Sequence, residues 1–219
     1  MLAWSINAAL TSGVFDAVFV STDSRDYAAI AESYGARVID RPAKYAADQS
    51  PDILWVEHAL TRFGSYDAMS ILRPTSPFRT ADTIRRAWRD FSAGHYDSLR
   101  AVEPVTQHPG KMWQVSQGGS LMTPIWPRVW QGPGLSQPYH SMPTQQLPPV
   151  LVQNASLEIA WIPMVRRTRT IAGMNVHPFL TEGFEGFDIN NEVDWVVAEW
   201  LLAQGRVELP EIGVPVCQS

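Results

Sequence analysis

The sequence predicts an α/β fold with a mostly parallel sheet, and three observations lead to that prediction. Short apolar runs alternate, in the first half of the chain, with segments in which apolar residues recur at helical spacing. Glycine or proline follows most of these segments, as is typical of helix and strand ends. The 219 residues, 45% of them hydrophobic, suffice for one domain with a substantial core. Strands that alternate with helices form right-handed βαβ units, which run parallel.

Helix and strand signals follow one another in the first half. A helix from Leu2 is closed by Gly13, because glycine is favoured just past the last helical turn. Ser50 is the expected cap of a later helix, with Pro51 in its first turn, and Thr80 is the expected cap of another. In chain order the pattern predicts a strand over 16–23, a helix over 24–35, a strand over 36–42, a helix over 51–64, a strand over 68–72, a helix from 80 and a strand over 97–103.

The second half begins with a stretch that lacks helical periodicity. Residues 106–150 are rich in proline and glycine, which predicts either an elaborate loop region or an inserted subdomain. A long strand or strand pair is predicted over 150–162 and a short strand over 168–173. The chain then runs from a strand end into an amphipathic helix within 185–205, for which Asn191 and Asp194 supply a capping box.

Charge and cysteine content exclude several classes of protein. The net charge is −5, so the chain lacks the basic surface that binds nucleic acids or anionic membranes. Cys217 is the single cysteine, which excludes a disulfide within the chain and is typical of a reducing compartment. No apolar run reaches the ~18 residues of a membrane span, and the N-terminus has no signal-peptide pattern. We therefore expect a cytoplasmic protein that binds neither nucleic acid nor membrane.

Three polar groups follow predicted strands, at the edge where open parallel sheets bind ligands. They are Asp23, the loop from Arg73 to Arg79, and Asp188. In the loop, Pro74 and Pro77 restrict the backbone around two hydroxyl residues, and an arginine stands on either side. A rigid loop with hydroxyl groups and arginines predicts a site for an anionic ligand.

Six stretches of the sequence together resemble one enzyme family. They are VFDAVFVSTDS, DRPAKYAADQS, LRPTSPFRT, QHPGKMW, QLPPVLVQNA and FDINNEVDW. Their order and spacing resemble those of the acylneuraminate cytidylyltransferase family, and the resemblance extends from the first residue to about Gly205. Members of that family activate nine-carbon acidic sugars as CMP conjugates.

The resemblance implies a Rossmann-like domain of the nucleotide-sugar transferase type, in which 106–150 is an inserted dimerisation segment of a homodimer. It also implies the reaction. A sugar hydroxyl attacks the α-phosphate of CTP, Mg²⁺ offsets the developing charge, and pyrophosphate leaves. Chemistry of this kind depends mostly on positioning and electrostatics.

The same resemblance implies roles for individual residues. The positions that match the family's cytosine contacts are Arg41, Asp48, Ser50 and Asp52. The positions expected at the sugar are Thr75, Ser76, Arg79, Asn154 and the basic residue Lys111, which is also expected to be catalytic. Asp188 matches the first carboxylate of the family's metal pair and is expected to be catalytic, with Asn190 as the second metal ligand.

The sequence departs from the family pattern at two places. Met1 lies within the helix that follows the family's first strand and its triphosphate-binding loop, so a central strand is missing. Two neighbouring strands then have unpaired ladder groups, each costing about 1–3 kcal/mol when buried. At the sugar end, Arg73 replaces a glutamine and Asn190 replaces a carboxylate. We hypothesise that Arg73 holds the carboxylate of a related acidic sugar.

Several alternatives are open from the sequence alone. Met1 is either an internal position of a longer reading frame or the start of a truncated, inactive relative that acts as a binding or assembly subunit. A third interpretation is a glycosyltransferase, although Ser21-Thr22-Asp23 lacks the paired Asp-x-Asp of such enzymes. Whether Asp23 and Glu158 face the cleft is open as well. Asp23 after a strand also fits a helix cap or a solvated turn residue, and period-2 alternation permits Glu158 to face either the cleft or the solvent.

Overall fold

Helices alternate with strands through the larger of the two units into which the chain divides. The structure, a computed structural model, describes residues 1–47, 49–62, 65–126, 129–132, 135–210 and 212. The larger unit consists of Met1–Val102 and the chain from Gln153, and the smaller unit is Glu103–Val152. Within the described residues, no helix has the length and apolar content needed to cross a membrane.

The elements are numbered along the whole chain. The helices are α1 (Leu2–Ser12), α2 (Arg25–Ser33), α3 (Asp52–Leu60), α4 (Ala81–Ser92), α5 (Ile162–Thr168) and α6 (Glu192–Ala203). The strands are β1 (Phe19–Thr22), β2 (Arg37–Asp40), β3 (Ala68–Ile71), β4 (Ser98–Pro104), β5 (Trp113–Val115), β6 (Met122–Pro124), β7 (Val129–Gly132), β8 (Leu135–Pro138), β9 (Leu151–Trp161) and β10 (Val176–Leu180).

The strands of the larger unit form two sheets. β1 and β2 pair in parallel, with Val20 opposite Val38. The second sheet has the strand order β10-β4-β9-β3, in which β10 and β4 are parallel and β3 and β9 are antiparallel. The predicted α/β class is confirmed.

Helices pack on both faces of the four-stranded sheet. On one face, Phe91 of α4 packs with Leu157 and Ile159 of β9. On the other face, Ala160 packs with Val56 of α3 and with residues of α5. Because successive side chains of a strand point to opposite faces, residue 158 lies on the face that α3 covers.

A slot separates the two sheets of the larger unit. Among the described residues no strand lies between β1 and β3, so β3 has no partner strand on that side. A cavity of about 270 Å³ lies at this place. Apolar residues of α1, β1, β3 and β9 contribute to its lining, including Leu2, Ile6, Phe19, Val20, Met69 and Ile159.

The smaller unit consists of hairpins and short turns. β5 pairs with β6, and β7 pairs with β8, both antiparallel. The buried ring of His108 accepts from the Gly110 N–H at Nδ1 (2.9 Å), and its Nε2 lies 2.9 Å from the Pro148 carbonyl. His108 therefore holds the backbone of this unit in place. Its position directly before Pro109 in a loop favours such a structural role.

The predicted helix ends with strong local signals are confirmed. Gly13 closes α1 with a left-handed φ of 67°. Thr80 and Asn191 cap α4 and α6, each within a capping box. Side-chain hydrogen bonds fix the two N-terminal caps, and the Gly13 N–H donates to the Leu10 carbonyl at the end of α1. All these contacts lie within four residues, which is why the sequence reveals them.

Three local predictions are wrong. One is the strand end before Asp188, since β10 ends at Leu180 and no strand lies between it and α6 in this described stretch of the chain. The cap of α3 is Pro51 rather than Ser50, and the helix starts at Asp52 with no side-chain cap. Residues 168–173 are not a strand, because α5 starts directly after β9 and extends to Thr168. Pro163 in the first turn favours that helix, and Arg169, with a φ of 53°, ends it.

Amide hydrogen exchange tests the slot. Amides of β3 that face it have no strand partner among the described residues, whereas β4 is paired on both sides. We expect the slot-facing amides of β3 to exchange markedly faster than those of β4. An amide without a ladder hydrogen bond can exchange while the sheet stays intact, whereas a paired amide must first lose its hydrogen bond. Equal protection of β3 and β4 would contradict the open edge.

Candidate functional site

The carboxyl ends of β1 and β2 carry one half of the candidate site. Arg41, directly after β2, donates from Nε to Ser21 Oγ (3.1 Å) and from Nη2 to the Ser21 carbonyl (2.7 Å). Its guanidinium lies over the Trp55 ring at 4.9 Å. Burial lowers the pKa of Arg41, while the charges of Asp23 and Asp52 act against that effect. Asp23 itself is exposed, and Arg41 is held against an aromatic surface.

The first turn of α3 brings a carboxylate to the same place. Trp55 Nε1 donates to Asp52 Oδ1 (2.9 Å), and Arg73 pairs with Asp52 Oδ2. Burial alone would raise the pKa of Asp52. Hydrogen bonds from Arg73 and Trp55, together with the charges of Arg73 and Arg100, lower it below its ordinary value. Asp52 is therefore negatively charged at neutral pH.

Arg73 connects α3 to the four-stranded sheet. Its Nη2 pairs with Asp52 and lies 3.4 Å from Oε1 of Glu158 on β9. Glu158 is only 3% exposed, and its Oε2 pairs with Arg100 of β4. Burial acts to lower the pKa of Arg73, but Asp52 and Glu158 outweigh it and raise that pKa. We call Asp52, Arg73, Arg100 and Glu158 the arginine–carboxylate cluster.

The loop after β3 is held from behind by Arg79. This arginine is 1% exposed and donates to the carbonyls of Arg73 (3.1 Å) and Ser156 and to Ser5 Oγ (2.8 Å). Burial lowers the pKa of Arg79 to about 10, so it is charged at neutral pH. Ser76 is equally buried and Thr75 partly exposed. Contact of these residues with a sugar stays a prediction.

Asp188 and Asn190 lie beside the same loop. The Ile189 N–H donates to the Thr75 carbonyl at 2.9 Å. Asn190 Nδ2 donates to Asp188 Oδ2 at 2.7 Å, and the buried Oδ1 of Asp188 has no hydrogen-bond partner in the described part of the chain. That oxygen is a suitable ligand for Mg²⁺, which needs few protein ligands because it retains waters. No group of three His, Cys, Asp or Glu side chains in the described residues is arranged to hold a metal.

The remaining predicted site residues have separate surroundings. Asn154 donates from Nδ2 to Thr181 Oγ1 (3.0 Å) and accepts from the Ser156 N–H (3.2 Å). Ser50 Oγ is buried and has no hydrogen-bond partner among the described residues. Lys111 is exposed in the smaller unit. Asp48 lies outside the described residues, so its expected role stays a prediction, as do those of Asn154, Ser50 and Lys111.

Sequence reasoning missed Arg100 and Trp55 and left Glu158 undecided. Arg100 lies between the buried residues Leu99 and Ala101 on β4, so strand alternation alone indicates only that it faces the other way. A charged residue within an apolar strand was the available signal. Its meaning depends on the partner strand, which the sequence does not identify.

Comparison with protein families gives one match that covers half of the chain. The family is described as cytidylyltransferase, and its model matches residues 1–110. An N-acylneuraminate cytidylyltransferase of Escherichia coli is 45% identical over 87 residues, which are 40% of this chain and 21% of that protein. The match therefore spans about a fifth of that relative's length.

Two relatives match over most of the chain. A CMP-N,N'-diacetyllegionaminic acid synthase of Legionella pneumophila is 29% identical over 92% of this chain and 84% of that protein. A post-translational flagellin modification protein B of Campylobacter coli is 26% identical over 95% of this chain and 86% of that protein.

Two solved structures share the fold. The 4-diphosphocytidyl-2C-methyl-D-erythritol synthase of Anaerococcus prevotii has a TM-score of 0.61 at 8% identity, covering 92% of this chain and 88% of that one. A CMP:2-keto-3-deoxy-manno-octonic acid synthetase complexed with CTP also has a TM-score of 0.61, at 10% identity, covering 93% and 88%. At these identities the likeness concerns the fold alone.

Substitution of Arg79 tests its role in holding the loop. Arg79→Met should lower the free energy of unfolding by about 1–3 kcal/mol for each buried carbonyl left without a donor. Urea denaturation measures this, with an unchanged m-value as the condition for comparison. Arg85→Met is the matched control, because Arg85 also donates to two carbonyls, those of Thr11 and Ser12, but its side chain is 51% exposed. Equal losses in both variants would contradict the special role of Arg79.

Proposed function

The chain belongs to the cytidylyltransferase family, and we propose that it activates an acidic sugar of the nonulosonic type with CTP, giving a CMP-sugar and pyrophosphate. The names of two relatives support this substrate class, since one is an N-acylneuraminate cytidylyltransferase and another a CMP-N,N'-diacetyllegionaminic acid synthase. The arginine–carboxylate cluster is the observation that carries the proposal, because it presents fixed arginine donors beside Arg41 and Trp55.

The two halves of the site suit the two substrates. Arg41 and Trp55 offer a cation and an aromatic surface, which suit the hydrogen-bonding edge and the face of cytosine. Asp52, charged at neutral pH, accepts hydrogen bonds next to them. Arg73 lies at the end of β3, where its guanidinium suits the carboxylate of an acidic sugar. Thr75, Ser76, Asn154 and Lys111 are the further proposed contacts on the sugar side.

The proposed reaction is a single displacement at phosphorus. A sugar hydroxyl bonds to the α-phosphorus of CTP while the bond to pyrophosphate breaks, and the hydroxyl proton passes to solvent water. Asp188 and Asn190 are the residues that would hold Mg²⁺, which supplies neutralisation of the phosphate charge when it is bound. Lys111 is proposed to add positive charge near the acidic sugar.

We also propose a homodimer formed through the smaller unit and a cytoplasmic location. The hairpin of β5 and β6 carries exposed apolar side chains: Val115, Leu121 and Met122 are 56%, 70% and 61% exposed, and Ile125 just beyond is 57% exposed. Clustered exposed apolar residues are typical of association surfaces. The lone cysteine at position 217, which lies outside the described residues, supports a reducing compartment.

An inactive binding or assembly subunit is the second candidate. The open slot between β1 and β3 favours it, because among the described residues the strand order is interrupted beside the proposed cytosine site. In that case the chain would bind CTP or the sugar without releasing pyrophosphate.

Pyrophosphate release tests the proposed function. The protein is mixed with CTP, Mg²⁺ and each member of a panel of acidic nine-carbon sugars, and a coupled assay measures pyrophosphate. We expect release with at least one sugar, and its loss on addition of EDTA. Replacement of CTP by UTP is the control. Binding of CTP by calorimetry without release for any sugar would support the binding subunit instead.

Arg73 is expected to set the sugar preference. Arg73→Gln removes a charged donor, and the KM for the preferred acidic sugar should rise about tenfold or more, the effect of a lost charge-assisted hydrogen bond. The KM values for the whole panel are measured. Arg169→Gln is the matched control, since it breaks an exposed pair with Glu57. An unchanged preference after Arg73→Gln would refute the assignment.

A further inference from the structure

Glu158 is a carboxylate in a nearly fully buried position. It lies on β9, 3% exposed, on the face of the sheet that α3 covers. Removing an ionised carboxylate from water is costly unless opposite charges pair with it. Its ion-pair partners in the described part of the chain are Arg73 and Arg100. The buried charge of Glu158 is therefore stabilised by its ion pairs with these two arginines.

The two oxygens of Glu158 bind different arginines. Oε1 lies 3.4 Å from Nη2 of Arg73, and Oε2 pairs with Nη1 of Arg100. Arg73 follows β3 and Arg100 belongs to β4, and β9 lies between these two strands in the sheet. One carboxylate thus joins side chains that come from both neighbouring strands.

The backbone fixes the position from which Glu158 acts. Ile71 lies opposite Glu158 in the ladder of β3 and β9. Ser70 Oγ also donates to the Glu158 carbonyl at 2.8 Å. Arg73 follows Ile71 by two residues, so the carboxylate and the guanidinium start from neighbouring points of one rigid ladder.

These contacts use only one of the three nitrogens of the Arg73 guanidinium. The described hydrogen bonds of Arg73 to Asp52 and Glu158 both use Nη2. A guanidinium has five N–H donors in a planar fork, and the side chain of Arg73 is 35% exposed. With Nη2 held by two carboxylates, Nε and Nη1 have no described carboxylate partner, and either can donate one charge-assisted hydrogen bond to a ligand carboxylate.

We propose that Glu158 is a positioning residue that holds the Arg73 guanidinium in the orientation needed to bind the carboxylate of the acidic sugar. The inference rests on the proposed function for the identity of the ligand. The orientation of Arg73 is a property of the free protein and is measurable without any substrate.

Glu158→Gln is the decisive change. Glutamine retains the shape and an acceptor oxygen but removes the charge that attracts both arginines. We expect the KM for the acidic sugar to rise about tenfold, while the KM for CTP stays within about twofold, since none of the described contacts of Arg41 or Trp55 involves Glu158. The double variant with Arg73→Gln should raise the sugar KM no further than Arg73→Gln alone.

Nitrogen-15 NMR of the arginine Nε–H groups supplies the readout without substrate. In the wild-type protein the Arg73 signal, assigned with Arg73→Gln, should be sharp and distinct, because its guanidinium is fixed. Glu158→Gln should shift or broaden it. Glu57→Gln is the matched control, since it also removes a carboxylate from an arginine pair, but at an exposed site, and should leave the Arg73 signal unchanged.

The outcomes separate the inference from the proposed function. If the wild-type protein releases no pyrophosphate with any sugar, the proposed function fails, and the Arg73 signal still decides whether Glu158 positions Arg73. An Arg73 signal that is unchanged in Glu158→Gln overturns the inference. So does a uniform loss of stability with equal changes in the KM for CTP and for the sugar, which indicates a structural ion pair only.

Discussion

The buried guanidinium of Arg79 is the interaction on which the arrangement of the candidate site depends. Its three acceptors belong to α1, to the loop after β3 and to β9, so one side chain ties together segments far apart in sequence. A buried cation without these acceptors would be strongly unfavourable. One of these acceptors is the carbonyl of Arg73. The hydrogen bonds of the buried Arg79 therefore also fix the backbone of Arg73, whose side chain belongs to the candidate site.

The slot beside β1 places a second constraint on this site. The two-stranded sheet carries Arg41, whereas the four-stranded sheet carries Arg100 and Glu158 and leads into Arg73. Within the described residues no backbone ladder connects the two sheets. Side chains of the first turn of α3 contribute to the connection instead, since Trp55 contacts Arg41 and Asp52 pairs with Arg73.

The sequence predicts those parts of the molecule that local chemistry determines. Gly13, Thr80 and Asn191 mark helix ends through contacts within a few residues, and all three predictions are confirmed. The family was likewise recognisable from motifs in order. The cap of α3 was misplaced by one residue because Ser50 and Pro51 both favour a helix start there.

The orientation of Glu158 was beyond the sequence for a physical reason. Alternation along β9 gives two faces but does not say which face α3 covers or that β3 is the neighbour. Both facts depend on the pairing of residues about ninety positions apart, as the register of Ile71 with Glu158 illustrates. The burial of Arg79 has the same origin, since Ser5 and Ser156 are distant in sequence.

The charge balance of the cluster bears on which anion it suits. Two arginines face two carboxylates, so the formal charges cancel and the cluster offers no net attraction to a highly charged group such as a triphosphate. A single carboxylate gains from geometry instead, because a guanidinium already fixed through Nη2 donates to it at little entropic cost. A neutral cluster with one oriented arginine therefore selects by shape and direction, and that property favours the carboxylate of a sugar over the phosphates of the nucleotide.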